Sequence, residues 1–209
     1  LELARCVVSK GILHSGGEAS CNEALAQARK VLQEDPTSVD ALVISGLALL
    51  GMERTEAAFK YLAQALAVDE NGAQLRLALG MLERQQGDLG SAVRHLENAC
   101  RSAPEAWETH LFLGRALMDL AGSRDLTGRL VERAQYHLVR ALQLEPSPDQ
   151  SPAVLKDIGT CCMLTGRYRE AERFFIRLRE HPEHAATARF YLGQVAYSLG
   201  KYNNAIQHF

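Results

Sequence analysis

Histidine and cysteine are the side chains of this chain best suited to metal binding or nucleophilic chemistry, so their spacing is the first test for an active centre. The 209 residues include seven histidines and five cysteines. Two histidines stand at helical spacing in the segment HPEH, from His181 to His184, but Pro182 lies between them and a third ligand is missing. A metal site needs three or four ligands, so we expect an exposed polar turn here.

The other candidate motifs lack residues that their chemistry requires. The glycine-rich segment HSGGEAS, residues 14–20, has no Gly-Lys-Ser/Thr and follows no predicted strand, so we expect a long turn and not a phosphate-binding loop. A Gly-x-Ser-x-Gly elbow is absent from the sequence. The arginines between Arg167 and Glu180 alternate with glutamates, which is typical of a solvated helix face. We therefore predict no catalytic residues, no cofactor and no metal, and a protein that is not an enzyme.

Composition and charge narrow the range of partners. The chain is 47% hydrophobic and 23% charged, as in ordinary globular proteins, and its net charge is −2. Because a basic excess is needed to neutralise a phosphate backbone, nucleic acid is not an expected partner. The sequence has no apolar run of the roughly 18 residues that span a bilayer, so membrane insertion is not expected either.

Cysteine usage and the first residues bear on the cellular setting. The five cysteines are an odd number and include no Cys-x-x-Cys pair. This is typical of reduced thiols that pack as small apolar side chains, which favours the cytoplasm, with the nucleus as the alternative. The sequence begins at Leu1 within a helical pattern and without a methionine, so we expect it to be a fragment of a longer protein.

Small residues recur along the chain at a fixed spacing. Glycines in similar contexts are separated by 34, 34, 45 and 34 residues: Gly46, Gly80, Gly114, Gly159 and Gly193. An alanine follows twelve residues after four of them and twenty after the third: Ala58, Ala92, Ala134, Ala171 and Ala205. A second glycine set lies seven residues after the first, at Gly87, Gly166 and Gly200. Such recurrence indicates a repeated structural unit, since a catalytic feature would occur once.

The stretch from Leu79 to Pro104 shows what one period contains. Apolar residues recur at helical spacing on both sides of the turn GDLG, and proline ends the second helix. A glycine within a helix costs about 1 kcal/mol relative to alanine, so it needs a packing reason. We predict that Gly80 and Ala92 lie where two antiparallel helices approach most closely, because only small side chains permit that approach.

A 34-residue helix–turn–helix with this pattern resembles the tetratricopeptide repeat. That family has glycine or alanine at position 8 of each repeat, alanine at positions 20 and 27, and proline at position 32. The matching residues here include Ala65, Ala99 and Ala141 at position 27, and prolines at Pro36, Pro104 and Pro146. The resemblance covers nearly the whole chain and implies an all-α fold, a right-handed superhelical solenoid of antiparallel helix pairs.

The resemblance divides the chain into one array of approximate units, 1–38, 39–72, 73–106, 107–148, 149–184 and a truncated 185–209. The chain departs from the family at position 4, where leucine, arginine or histidine replaces an aromatic residue. The unit that begins near Trp107 also contains an eight-residue insertion. This insertion, with Arg124, Arg129 and Arg133, is the least repeat-like surface and a secondary contact candidate.

In the family, the first helices of successive repeats line a concave groove and expose positions 2, 5, 9, 12 and 13. Carried over, these positions give a partner-binding groove of apolar and cationic residues: Leu47, Leu77, Met81, Arg84, Leu111, Arg115, Met118, Lys156, Met163, Phe190 and Tyr197. An apolar strip beside cations favours an amphipathic helix or extended peptide as its ligand. The alternative is that these leucines and methionines contact the neighbouring helix and belong to the core.

The resulting prediction is a non-catalytic scaffold or adaptor that holds a protein or peptide in this groove within a multi-protein complex. A second hypothesis is a structural segment that stacks on further repeats or self-associates through exposed terminal repeats. A third is the regulatory arm of an enzyme whose catalytic domain lies outside this chain. Fold alone does not choose among them.

Overall fold

The computed structural model describes residues 18–124, 128–144 and 151–209, and all structural statements below refer to these residues. Within them the chain forms eleven α-helices and one short 3-10 helix, and no strand. The helices are α1 Glu18–Glu34, α2 Val39–Gly51, α3 Thr55–Val68, α4 Ala73–Gln86, α5 Leu89–Ser102, α6 Trp107–Arg124, α7 Gly128–Gln143, α8 Ser151–Leu164, α9 Tyr168–Arg179, α10 Ala185–Ser198 and α11 Tyr202–His208. The 3-10 helix spans Pro182–His184.

The chain divides into two compact units, Leu1–Phe112 and Leu113–Phe209, with the boundary inside α6. In the first unit α2 packs on α3 and α4 packs on α5; in the second, α8 packs on α9 and α10 packs on α11. Each of these pairs is joined by a turn of two or three residues, so its helices run antiparallel. The predicted all-α class and helix pairs are confirmed, whereas the single array and its superhelical hand stay predictions.

The crossing within each pair is as close as the sequence predicted. A Cβ atom added to Gly80 would lie 2.5 Å from Leu96 Cγ and 3.1 Å from the carbonyl oxygen of Ala92. The same relation links the other glycines to a large side chain sixteen or, after the insertion, twenty-four residues later: Gly46 to Leu62, Gly114 to Leu138, Gly159 to Phe175 and Gly193 to Phe209. These distances leave no room for a side chain, so the glycines are required for packing.

The glycines of the second set have a different role, because they end the first helix of a pair. Gly87, Gly166 and Gly200 have φ values of 85°, 72° and 73°, in the left-handed region that glycine adopts without a steric penalty. The next residue then donates its N–H to the carbonyl five residues before it, as Asp88 does to Glu83 at 3.0 Å. This bond closes the helix end and reverses the chain toward the second helix.

The insertion lengthens the helices on both sides of it. Helix α6 has 18 residues and α7 has 16, compared with 14 each for α4 and α5. Gly114 nevertheless meets Leu138 and the carbonyl oxygen of Ala134, so the crossing is preserved. Residues 125–127 of the insertion lie outside the described residues, as do residues 14–17 of HSGGEAS, whose last three residues open α1.

Candidate interaction surface

The predicted groove residues of the first unit are not exposed. Leu47, Leu77, Met81 and Leu111 are all buried, so the expectation that they form a solvent-facing strip is wrong. The reason is that α2 and α4, which belong to successive repeats, pack on each other as well as on their own partners. Side chains between two first helices therefore join the core, as the alternative interpretation of the sequence proposed. Arg84, on the last turn of α4, is half-buried.

The predicted groove residues of the second unit are more accessible. Met118 on α6 and both Lys156 and Met163 on α8 are partly exposed. Phe190 and Tyr197 on α10 are 51% and 65% exposed. Among the described residues, the accessible apolar side chains of the predicted groove therefore lie on the second unit.

Arg115, a predicted groove residue, forms an ion pair within the second unit. Its Nε atom lies 2.5 Å from Oδ2 of Asp157, and both side chains are mostly buried. The positive charge of Arg115 is therefore paired with a carboxylate of the protein, and its role in attracting a partner stays a prediction. Sequence reasoning missed Asp157 because the two residues are 42 positions apart, on the first helices α6 and α8 of different repeats.

Aromatic side chains extend the exposed surface from α10 onto α11. The Phe190 ring lies 6.0 Å from the Phe209 ring, and the Tyr197 ring lies 5.5 Å from the Tyr202 ring. Ile206, between Tyr202 and Phe209, is also exposed. We call Phe190, Tyr197, Tyr202, Ile206 and Phe209 the aromatic face. Tyr202 and Ile206 were not predicted, because they belong to a second helix and the prediction was confined to first helices.

The secondary candidate at the insertion is only partly described. Arg129 and Arg133 are exposed and stand one turn apart on α7. The side chain of Arg124 lies outside the described residues, and a contact role for the three arginines stays a prediction.

The HPEH segment is a turn that contains the 3-10 helix, as expected, and the arginines of α9 at positions 169, 173, 177 and 179 are exposed.

The thiols of the described residues show no sign of activation. Cys21, Cys100, Cys161 and Cys162 are buried and form no disulfide. Burial raises the pKa of each thiol, and that of Cys161 reaches about 12 because the carboxylate of Asp157 adds to the effect. A thiol needs a lowered pKa to act as a nucleophile near neutral pH, so these four are suited to packing.

Comparisons with solved structures show which proteins share this fold. YrrB, described as a TPR protein with an unusual peptide-binding site, is 19% identical with a TM-score of 0.66, over 87% of this chain and 88% of YrrB. PilW, described as a type IV pilus biogenesis factor, is 17% identical with a TM-score of 0.73, over 100% of this chain and 91% of PilW. Human IFIT1, solved as a dimer with m7Gppp-AAAA, is 18% identical with a TM-score of 0.77, over 98% of this chain and 47% of IFIT1.

Sequence comparisons identify the family. No curated protein matches the chain. In the described residues, none of the helices combines the length and apolarity needed to cross a bilayer. Family models for the tetratricopeptide repeat match residues 39–71, 73–116 and 165–209, which together make up more than half of the chain. With the glycine-packed helix pairs described above, these matches establish that the chain belongs to the tetratricopeptide repeat family.

Proposed function

We propose that this chain is a non-catalytic scaffold that binds a helix or peptide of another protein within a multi-protein complex. Repeats of this family form interaction modules, and YrrB, which shares the fold, is described with a peptide-binding site. The observation that carries the proposal is the distribution of large exposed apolar side chains. In the described residues, seven of the eleven lie between Leu164 and Phe209.

The proposed contact surface combines the accessible part of the predicted groove with the aromatic face. Met118, Lys156 and Met163 supply a flexible apolar surface and one positive charge, and methionines adapt to irregular partners. Tyrosine and phenylalanine bury a large area at low entropic cost and are frequent anchors in interfaces. A partner with apolar anchors at helical spacing and an acidic group near Lys156 fits this chemistry best.

A charge placed on the surface tests the proposal. Peptides selected from a random library on the unmodified protein serve as probes, and fluorescence anisotropy measures their affinity for Tyr197→Asp and Met163→Asp. We expect a loss of at least tenfold, because a buried aspartate at an interface stays unpaired. Phe59→Asp is the matched control, since Phe59 on α3 is 54% exposed but lies in the first unit. Equal affinity of all variants would contradict the proposed surface.

Self-association is a second candidate, favoured by the exposure of Ile206 and Phe209 at 74% and 71%. Light scattering over a range of concentrations measures it directly, and a rise in mass that Ile206→Asp abolishes would favour it. The regulatory arm of an enzyme remains the third hypothesis, and linkage to a catalytic domain in the full-length sequence would support it.

Protein is proposed as the partner in preference to nucleic acid, and the cytoplasm or nucleus as the compartment. The net charge of −2 supports the first statement, and the four buried thiols without a disulfide support the second. IFIT1, which shares the fold, was solved with m7Gppp-AAAA. Titration with a capped and an uncapped oligonucleotide therefore belongs in the same anisotropy experiment, where we expect no binding at physiological salt.

A further inference from the structure

The helix pair α4 and α5 contains a carboxyl group at a position that is apolar in the other pairs. Glu83 follows the crossing glycine Gly80 by three residues. The residues that follow the other crossing glycines by three are all buried and uncharged: Leu49, Leu117, Cys162 and Ala196. Glu83 thus places a carboxyl group where the other repeats have an apolar side chain. Its carboxyl group faces the imidazole of His95 on α5.

The side chains of Glu83 and His95 face each other between α4 and α5. Nε2 of His95 lies 3.5 Å from Oε1 of Glu83, and the side chains are 28% and 22% exposed. The remaining polar atoms, Oε2 of Glu83 and Nδ1 of His95, are sealed from solvent and have no hydrogen-bond partner among the described residues. A buried polar atom without a partner costs free energy, and an ionised group costs more. The protonation state of this pair therefore matters to the packing of α4 on α5.

The surroundings favour the neutral forms of both groups. Burial, with a contribution from Asp88, raises the pKa of Glu83 to about 7, although Arg94 acts in the opposite direction. Burial, with contributions from Arg76 and Arg94, lowers the pKa of His95. The other ionisable groups of the first unit on α4, α5 and the helices beside them are Asp40, Glu56, Lys60, Tyr61, Arg84, Glu97, Cys100, Arg101, Glu108 and His110.

We propose that Glu83 and His95 form a protonation-dependent brace between α4 and α5, which holds the helix pair together while one proton is shared and loosens it when that proton is lost. In the closed form, the protonated carboxyl of Glu83 donates to Nε2 of neutral His95. After ionisation, the carboxylate can accept from Nε2–H of the other neutral tautomer of His95, but its negative charge stays largely buried near Asp88, and Oε2 has no hydrogen-bond partner among the described residues. Glu83 and His95 lie in the first unit, and the proposed binding surface is made of residues of the second.

The sign of the pH dependence follows from the direction of each shift. Since the pKa of Glu83 is above its ordinary value of 4.5 in the folded protein, the stability from protonation is fully present below pH 4.5 and is lost as the pH rises to about 7. His95 has the opposite effect, because stability is lost as the pH falls below its ordinary value of 6.5. Ionisation of Glu83 therefore lowers stability as the pH rises, and protonation of His95 lowers it as the pH falls.

Hydrogen exchange at pH 5 and pH 8 tests the brace, with rates corrected for intrinsic pH dependence. The quantity compared is the equilibrium constant for local opening at the amides of α4 and α5. We expect its increase from pH 5 to pH 8 to be about tenfold larger in the unmodified protein than in Glu83→Gln, a figure that allows for the partial exposure of Glu83. Amides of α8 and α9 serve as an internal control and should not differ between the two proteins. The same response in both proteins would overturn the proposal.

Two further variants separate the brace from a purely structural role. Glu83→Leu introduces the residue type found at Leu49 and Leu117, so this variant should fold. Hydrogen-exchange protection of α4 and α5 should be higher in this variant than in the unmodified protein, and the difference should be larger at pH 8 than at pH 5. His95→Phe copies Phe174, which stands at the same place in α9. This variant should lose part of the pH response, because Glu83 no longer has an acceptor for its proton. An unchanged response in His95→Phe would show that the pair does not act together and would overturn the brace.

Discussion

At the scale of single residues, each helix pair depends on a contact between a glycine of the first helix, which has no side chain, and a large side chain of the second helix. A Cβ atom added to any of the crossing glycines would lie 2.5–2.8 Å from a leucine or phenylalanine of the second helix, which is too close for a real contact. The sequence predicted the glycine and the alanine of this contact from their spacing. It did not indicate the large residue four positions after the alanine, which fills the space that the glycine leaves.

Replacing Gly80 by leucine should destabilise the protein by about 1–3 kcal/mol, because the added atoms would overlap Leu96 and the Ala92 carbonyl. Thermal unfolding measures the change. Gly122→Ala is the matched control, since Gly122 also lies in a helix but a Cβ atom there would meet nothing within 4 Å. The control should keep or slightly raise the melting temperature, and an unchanged midpoint for Gly80→Leu would refute the close crossing.

Breaking the Arg115–Asp157 pair should also be costly. Asp157→Ala leaves a mostly buried guanidinium without its carboxylate, and we expect a loss of about 2 kcal/mol in urea unfolding. Arg115→Met combined with Asp157→Leu should restore most of that loss, because apolar pairs of similar volume avoid the cost of burying charge. If the double variant is as unstable as the single one, the loss arises from packing and not from removal of the carboxylate.

At the scale of elements, each helix pair depends on how its first helix ends. Three of the described pairs use a glycine in the left-handed region, whereas the turn after α2 has Glu53, with φ 58°, at the equivalent place. A residue with a Cβ atom pays a steric penalty of about 1 kcal/mol or more in this conformation. The N–H of Arg54 still donates to the carbonyl of Leu49 at 2.9 Å, so the turn keeps its shape despite the penalty.

Glu53→Gly should therefore stabilise the protein by about 0.5–1 kcal/mol, and Gly87→Ala should destabilise it by about 1 kcal/mol. Equilibrium unfolding in urea measures both. The two changes are matched, since they exchange glycine and a side chain at the same place in neighbouring repeats. A loss of stability in Glu53→Gly would mean that its side chain makes a contact worth more than the relief of backbone strain.

At the scale of the whole molecule, two compact units are built from the same repeated contact. In repeat proteins, stability is approximately a sum over units and their neighbours, so damage stays largely local. The exposed apolar surface is unevenly distributed. The predicted apolar groove residues of the first unit are buried, whereas those of the second unit are accessible and adjoin the aromatic face in the same unit.

Overpacking one crossing should therefore weaken its own unit most. Gly159→Leu, which would collide with Phe175, should reduce hydrogen-exchange protection in α8 and α9 more than in α2 and α3. Gly46→Leu, opposite Leu62, should have the reverse effect and serves as the matched variant. A uniform loss of protection in both variants would indicate one cooperative unit.

The sequence by itself determined the local architecture of this protein. Its 34-residue spacing of glycine and alanine predicted the helix pairs, the closest crossings and the family, because those features depend on residues near each other in one repeat. The spacing also kept these contacts recognisable across the insertion, since Ala134 and Leu138 are displaced by the same eight residues.

Only the tertiary structure decided which side chains remain exposed. Leu77 and Phe190 occupy equivalent positions, yet one is buried and the other is half exposed. Exposure depends on which helix packs against a given face, and that helix comes from another repeat. The Arg115–Asp157 pair was likewise invisible in the sequence, because it joins the first helices of two different repeats. The Glu83–His95 pair joins the two helices of one repeat, and it was missed because the spacing of small residues does not indicate which polar side chains face each other.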